Sequence, residues 1–135
     1  SEMCIRDSAR IMRLRILITG SRDFSDKTLA QQALIWAANV AGVENPADVI
    51  VVHGGARGAD TVLAEVATSF GCVVEAHPAK WDELGKRAGI VRNCEMVALG
   101  ADVCLAFPMP GSRGTFHCMW EAEKAGIPVV NCTGI

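Results

Sequence analysis

Apolar runs alternate along this chain with segments whose apolar positions recur at helical spacing. Arg15-Ile16-Leu17-Ile18-Thr19 is a short apolar run that ends at Gly20. From Thr28 to Ala41 the spacing is helical, with Leu29, Ala33, Trp36, Ala37 and Val40 on one face. Asp48 to His53 is a β-branched run that ends at Gly54-Gly55, and Asp60 to Phe70 is helical again through Val62, Val66 and Phe70. Cys72 to Ala76 reads as a third strand. Ala88 to Leu99 reads as a third helix with Ile90, Val91, Cys94, Val97 and Ala98 inward. Asp102 to Phe107, Gly114 to Ala125 and Pro128 to Cys132 complete the series as strand, helix and strand. Short continuous apolar runs and 3.6-residue periods are the signals behind these assignments.

The punctuation agrees. Gly42, Gly71, Gly100 and Gly126 each follow a helix, where a left-handed residue commonly ends the element. Ser25 or Asp26 is a suitable cap for the first helix. Strands that are apolar throughout are covered on both faces. Regular alternation of strand and helix predicts an α/β fold: a single Rossmann-like domain with a five-stranded parallel sheet flanked by helices. The long irregular stretch, His77 to about Arg87, is expected to be a functional or mobile loop. Residues 1–11 fit no element and lack the apolar core of a signal peptide. They are expected to be a non-native or disordered tail, with 12–135 as the domain and Met12 as a natural start.

Composition narrows the classes. The 135 residues suffice for one core, and 50% hydrophobic content excludes a disordered chain. No stretch approaches about 18 uninterrupted apolar residues, so no membrane span is expected. A net charge of −2 argues against nucleic acid as a partner. With 4 Phe, 3 Trp and no Tyr, an aromatic platform for single strands is not expected either. The six cysteines include no CxxC pair. They read as buried free thiols, which suit a reducing cytoplasm, and no metal or cofactor is expected. Trp36 and Trp120 read as core or oligomer contacts.

In an open parallel sheet, ligands bind beyond the carboxyl ends of the strands. Three turns there share one composition: Gly20-Ser21-Arg22-Asp23, Gly55-Ala56-Arg57-Gly58 and Gly111-Ser112-Arg113-Gly114. Glycine and small residues leave amides unobstructed, helix starts point donors at an anion, and arginine adds a bidentate fork. Thr115 adds a hydroxyl. The three turns together predict an anion cradle. Of the 13 Lys and Arg, Arg22, Arg57, Lys80, Lys86, Arg87, Arg92 and Arg113 lie in these loops or near them, so a chain of negative net charge still gathers its cations there. Trp81 either stacks on a base or covers the core. His53 either donates to a ligand or is structural. Asp60 reads as a helix cap before it reads as a catalyst. There is no P-loop signature and no GxGxxG, and His53 stands where a dinucleotide fold carries an acid.

Four segments carry a resemblance. Arg15 to Phe24, His53-Gly54-Gly55-Ala56-Arg57-Gly58-Ala59-Asp60-Thr61, Arg92-Asn93-Cys94-Glu95-Met96 and Pro110-Gly111-Ser112-Arg113-Gly114-Thr115 resemble, in this order, the YspA-type (cpYpsA-related) branch of the SLOG superfamily. That superfamily includes the Lonely Guy phosphoribohydrolases and the Smf/DprA domains. The resemblance spans about 120 residues, nearly everything after the tail. It implies a Rossmann-like fold that binds a nucleotide-derived molecule, of ADP-ribose type or a cyclic-nucleotide signal, as sensor or sequestering protein. For a phage source, that role would act against bacterial immune signalling. It places Gly20 to Phe24, Gly54 to Asp60, Arg92, Asn93, Pro110, Ser112, Gly114 and Thr115 around the ligand, and it implies a homo-oligomer. Lonely Guy enzymes read PGGxGTxxE, and the glutamate position here holds Cys118, with Glu121 three residues on. The missing acid favours a binder over a hydrolase. The alternatives are a nucleoside 5′-monophosphate phosphoribohydrolase, with Glu121 as its weak catalytic candidate, and a DNA-processing accessory domain.

Overall fold

The computed structural model describes residues 13–135, and the expected tail lies outside them. Five strands, β1 (Leu14–Gly20), β2 (Val49–His53), β3 (Val73–Ala76), β4 (Val103–Phe107) and β5 (Val129–Asn131), form one sheet. All pairings are parallel and the strand order is β3-β2-β1-β4-β5. Four longer helices flank it: α1 (Lys27–Ala41), α2 (Ala59–Phe70), α4 (Ala88–Ala98) and α5 (Arg113–Lys124). The expected α/β Rossmann-like arrangement is present, with element ends within a residue or two of the sequence reading. Asp26 caps α1 by accepting the Leu29 N–H at 3.0 Å. Gly42 and Gly71 close α1 and α2 in the left-handed conformation.

Successive side chains of a strand face opposite sides, so β1 feeds two cores. Ile16 and Ile18 join Leu34, Val51, Leu63, Val66 and Phe107 under α1 and α2. Leu17 joins Val52, Met96, Cys104, Cys118 and Ala122 under α4 and α5. This is why β1 is apolar throughout. Each such fully buried large side chain contributes about 1.5–3 kcal/mol.

Several expectations are corrected. The buried face of α1 is Ala30, Ala33, Leu34 and Ala37, while Trp36 and Val40 are exposed. The small alanines allow close approach, and the bulky residues turn outward. Trp120 is likewise exposed, so neither it nor Trp36 is core. On α4, Met96 and Val97 are buried with Ala88 and Asn93, whereas Ile90 and Cys94 face solvent. The loop at 77–87 is partly ordered: α3 (Trp81–Leu84) is one helical turn, followed by a 3-10 turn at Gly85–Arg87. The edge strand β3 is only partly covered. The five described cysteines are free; Cys104 and Cys118 are buried, Cys72 and Cys132 partly so, and Cys94 is exposed. No described helix is long and apolar enough to cross a membrane.

Candidate functional site

The chain leaves β1 toward β2 and β3 on one side, and β4 and β5 lie on the other. The strand order therefore reverses between β1 and β4, and a crevice opens at their carboxyl ends, where an open α/β sheet holds ligands. A cleft of about 530 Å³ sits there, within the range of small-molecule sites. Gly20, Ser21, Arg22 and Asp23 line it from the first turn, and Ala56, Arg57 and Asp60 from the second. Pro110, Ser112, Gly114 and Thr115 line it from the third, and Arg92, Asn93 and Trp81 close it from α4 and α3. Four chain segments far apart in sequence thus meet at one cavity.

Five proposed residues lie outside the lining. Phe24 is buried in the core against Phe107, with ring centroids 4.8 Å apart. His53 is buried, and its Nδ1 accepts the Gly55 N–H at 3.0 Å. Burial is the main cause that pushes its pKa down, so the ring is neutral near pH 7. Gly54, Gly55 and Gly58 shape the second turn. At Gly58 φ is +81°, and a Cβ there would strike the backbone of Ser21 and Arg22. Only glycine suits that contact.

The turns are stapled to one another. The Ser21 N–H donates to the Phe107 carbonyl at 3.0 Å, and the Ser21 carbonyl accepts the Ala59 N–H at 3.0 Å and the Phe24 N–H at 3.2 Å. Ser21 Oγ accepts the Asp23 N–H at 3.0 Å. Asp60 Oδ2 accepts the N–H groups of Gly54 at 3.0 Å and Ala56 at 3.1 Å. Burial is the main influence raising the Asp60 pKa, against those bonds and the nearby His53 and Arg92. Asp60 is therefore more a brace of the second turn than a cap of α2. The expectation of open amides on all three turns is corrected: most of those in the first two have internal partners. The clearest open donors are the Gly114 and Thr115 N–H groups at the start of α5, which have no protein partner among the described residues. The first two turns offer arginines instead.

Charge supports the same reading. Arg22, Arg57, Lys86, Arg92 and Arg113 line the cleft against two carboxyl groups, Asp23 and Asp60. This cationic excess stands out in a chain of net charge −2. Arg92 is held in place: its guanidinium donates to the Gly54 carbonyl and to Asn93 Oδ1. Asn93 Nδ2 in turn donates to the Gly114 carbonyl at 3.2 Å. Trp81 does not cover the core. It is exposed at the rim, with its ring 3.4 Å from where a Cβ on Gly89 would stand.

Sequence reasoning missed Thr19, Gly89, Ile90 and Met96, which also line the cleft. Ile90 is exposed toward the cleft, but apolar spacing had turned it inward. Cys118 is fully buried against the sheet, with its pKa pushed up to about 11 mainly by burial. Glu121 does not line the cleft; it lies in a separate shallow groove, with Lys124 Nζ at 3.3 Å.

Comparison with known proteins adds to this geometry. The family model described as "YspA, cpYpsA-related SLOG family" matches residues 14–83. The Gene 61 protein of Mycobacterium phage D29 is 50% identical over 122 residues, covering 87% of this chain and 94% of that protein. That match extends well past the family model's end at residue 83. No solved structure matches significantly.

Proposed function

The chain belongs to the YspA, cpYpsA-related SLOG family, and from that premise we propose that its cleft holds a nucleotide-derived anion, of ADP-ribose type or a cyclic nucleotide. The observation that carries this reading is the convergence of five cationic side chains and two open helix-start amides on one cleft at the strand-order reversal. Phosphate or pyrophosphate would meet the Gly114 and Thr115 amides and the fixed Arg92. Trp81 at the rim offers a face for a base or ribose. The ligand is held rather than cleaved, because Cys118 stands at the position of the hydrolases' glutamate and Glu121 lies outside the cleft. Similarity to a phage protein fits a sequestering or sensing role against bacterial immune signalling, inside the cytoplasm. The expected homo-oligomer belongs to the same proposal.

The test is calorimetry with ADP-ribose, its cyclic derivatives and cyclic dinucleotides, followed by mass spectrometry of ligand released on denaturation. Saturable binding with intact ligand is expected. Incubation with a nucleoside 5′-monophosphate that released free base with ribose 5-phosphate would establish the hydrolase instead. Binding of single-stranded DNA alone, weakening steeply with salt, would establish the accessory-domain alternative.

A further inference from the structure

Cys94 projects from α4 beside the face of α5 that carries His117 and Glu121. These two are one helical turn apart and therefore share a side of α5. One ligand atom from each of the three, a sulfur, an imidazole nitrogen and a carboxylate oxygen, all lie within 4.8 Å of one another. His117 Nε2 and Glu121 Oε1 are 3.6 Å apart. Two ligands about 2.0–2.1 Å from one tetrahedral zinc stand about 3.3 Å from each other, so this pair needs little movement to share an ion. We propose that Cys94, His117 and Glu121 form a binding site for a divalent cation of the zinc class, separate from the anion cleft. The sequence reading expected no metal because the six cysteines include no CxxC pair, and Cys94 and His117 stand 23 positions apart.

The donor set suits that ion. Thiolate and imidazole favour zinc and cobalt over magnesium or calcium, which take oxygen ligands. Three protein ligands leave a fourth position open. Cys94 and Glu121 also line the shallow groove between α4 and α5, so that position is reachable from solvent. Cys94 is exposed and free, which lets an ion enter without opening the core.

Two neighbours set the conditions of binding. Lys124 Nζ lies 3.3 Å from Glu121 Oε1 and over the Trp120 ring; it competes for the carboxylate and, being exposed, can swing away. Asn93 Nδ2 stands 3.3 Å from His117 Nδ1. A metal on Nε2 leaves the ring proton on Nδ1, so the Asn93 amide must turn its oxygen there and give up both its bond from Arg92 Nε and its bond to the Gly114 carbonyl, which weakens binding. Binding also releases the Cys94 thiol proton to solvent, so affinity rises with pH.

The experiment is a titration of the full chain, kept reduced with a phosphine, with Co²⁺ and then Zn²⁺. One equivalent of Co²⁺ is expected to give a thiolate-to-cobalt charge-transfer band with tetrahedral visible bands, all erased by stoichiometric Zn²⁺. C94S should remove the charge-transfer band. H117A and E121Q should each weaken binding by about tenfold or more, a loss at least as large as that of an outer-shell partner. K124A should strengthen it, a gain that neither misfolding nor a lone thiol would produce. The proposal is overturned if wild-type protein gives no band, if C94S keeps it, or if H117A and E121Q bind as tightly as wild type.

Discussion

Replacing Asp60 separates its two roles, bracing the second turn and placing charge beside the cleft. Asp60→Ala removes the acceptor of two N–H groups, one at buried Gly54 and one at partly buried Ala56. An orphaned buried donor costs about 1–3 kcal/mol. The Gly54 amide bears that loss nearly in full, while the Ala56 amide partly recovers by reaching water. The total is about 2–4 kcal/mol, a large part of the 5–15 kcal/mol typical of a domain. Asp60→Asn keeps an oxygen for both amides and removes the charge that burial disfavours. Its stability should stay within about 1 kcal/mol of wild type, the size of one net hydrogen bond. Because the folded pKa of Asp60 is raised, its ionised form costs stability at neutral pH. Wild type should therefore gain on D60N as pH falls through that raised value. Loss of a carboxylate from the lining should also tighten anion binding in D60N. Urea unfolding at several pH values and calorimetry measure all three effects. The reasoning fails if D60N is as unstable as D60A, or if D60A loses less than about 0.5 kcal/mol.

Arg92→Ala should weaken anion binding by about 1.5–3 kcal/mol, the worth of a charged hydrogen bond, or roughly ten- to hundredfold; calorimetry against the wild-type ligand checks it. Glu75 is held down to about 2 by its hydrogen bonds to Arg15 and then His77. The stability it adds is present above its ordinary pKa and lost as pH falls toward 2. Acid titration of E75Q should lack that part of the loss. Gly20→Ala would drive a Cβ into Ala59 Cβ and to 3.0 Å from Phe107 Cβ, both on packed elements that cannot yield. Thermal unfolding should show a loss of about 1–3 kcal/mol.

Strands and helices were legible because each carried its own period, and because glycines stood where helices end. The convergence of the three turns was legible for a related reason: a parallel sheet brings the carboxyl ends of its strands to one edge. Which helix face is buried was less so. On α1 the spacing picked out the more hydrophobic stripe, with Leu29, Trp36 and Val40. The sheet instead took Ala30, Ala33 and Ala37, which pack closer. Phe24 looked like a ligand contact because it follows the first turn, yet its partner Phe107 lies 83 positions on, and no local signal reports that pairing. The internal partners of the first two turns were hidden likewise. Ser21 is bonded to Phe107 and Ala59, contacts that exist only after the sheet has formed.

Those internal bonds also bear on what the cleft can do. A turn whose amides are already satisfied cannot wrap a phosphate, but it can hold an arginine at a fixed place. Arg22 and Arg57 stand on two such braced turns, and Arg92 is fixed by Gly54 and Asn93. Among the described residues, the start of α5 keeps donors free at Gly114 and Thr115. The cleft thus has one wall of helix-start amides and others that present side-chain charge. A hydrolase of this shape would need an acid within reach of the scissile bond. The carboxyl groups that line this cleft are Asp23 and Asp60, and Asp60 is bonded to two backbone amides. Cys118 faces the packed layer of Leu17, Met96 and Cys104. Exchanging it for glutamate would bury a charge among apolar side chains, at a cost of several kcal/mol unless the carboxyl stayed protonated. On the proposed reading, one substitution at residue 118 would therefore not by itself supply a hydrolase's acid.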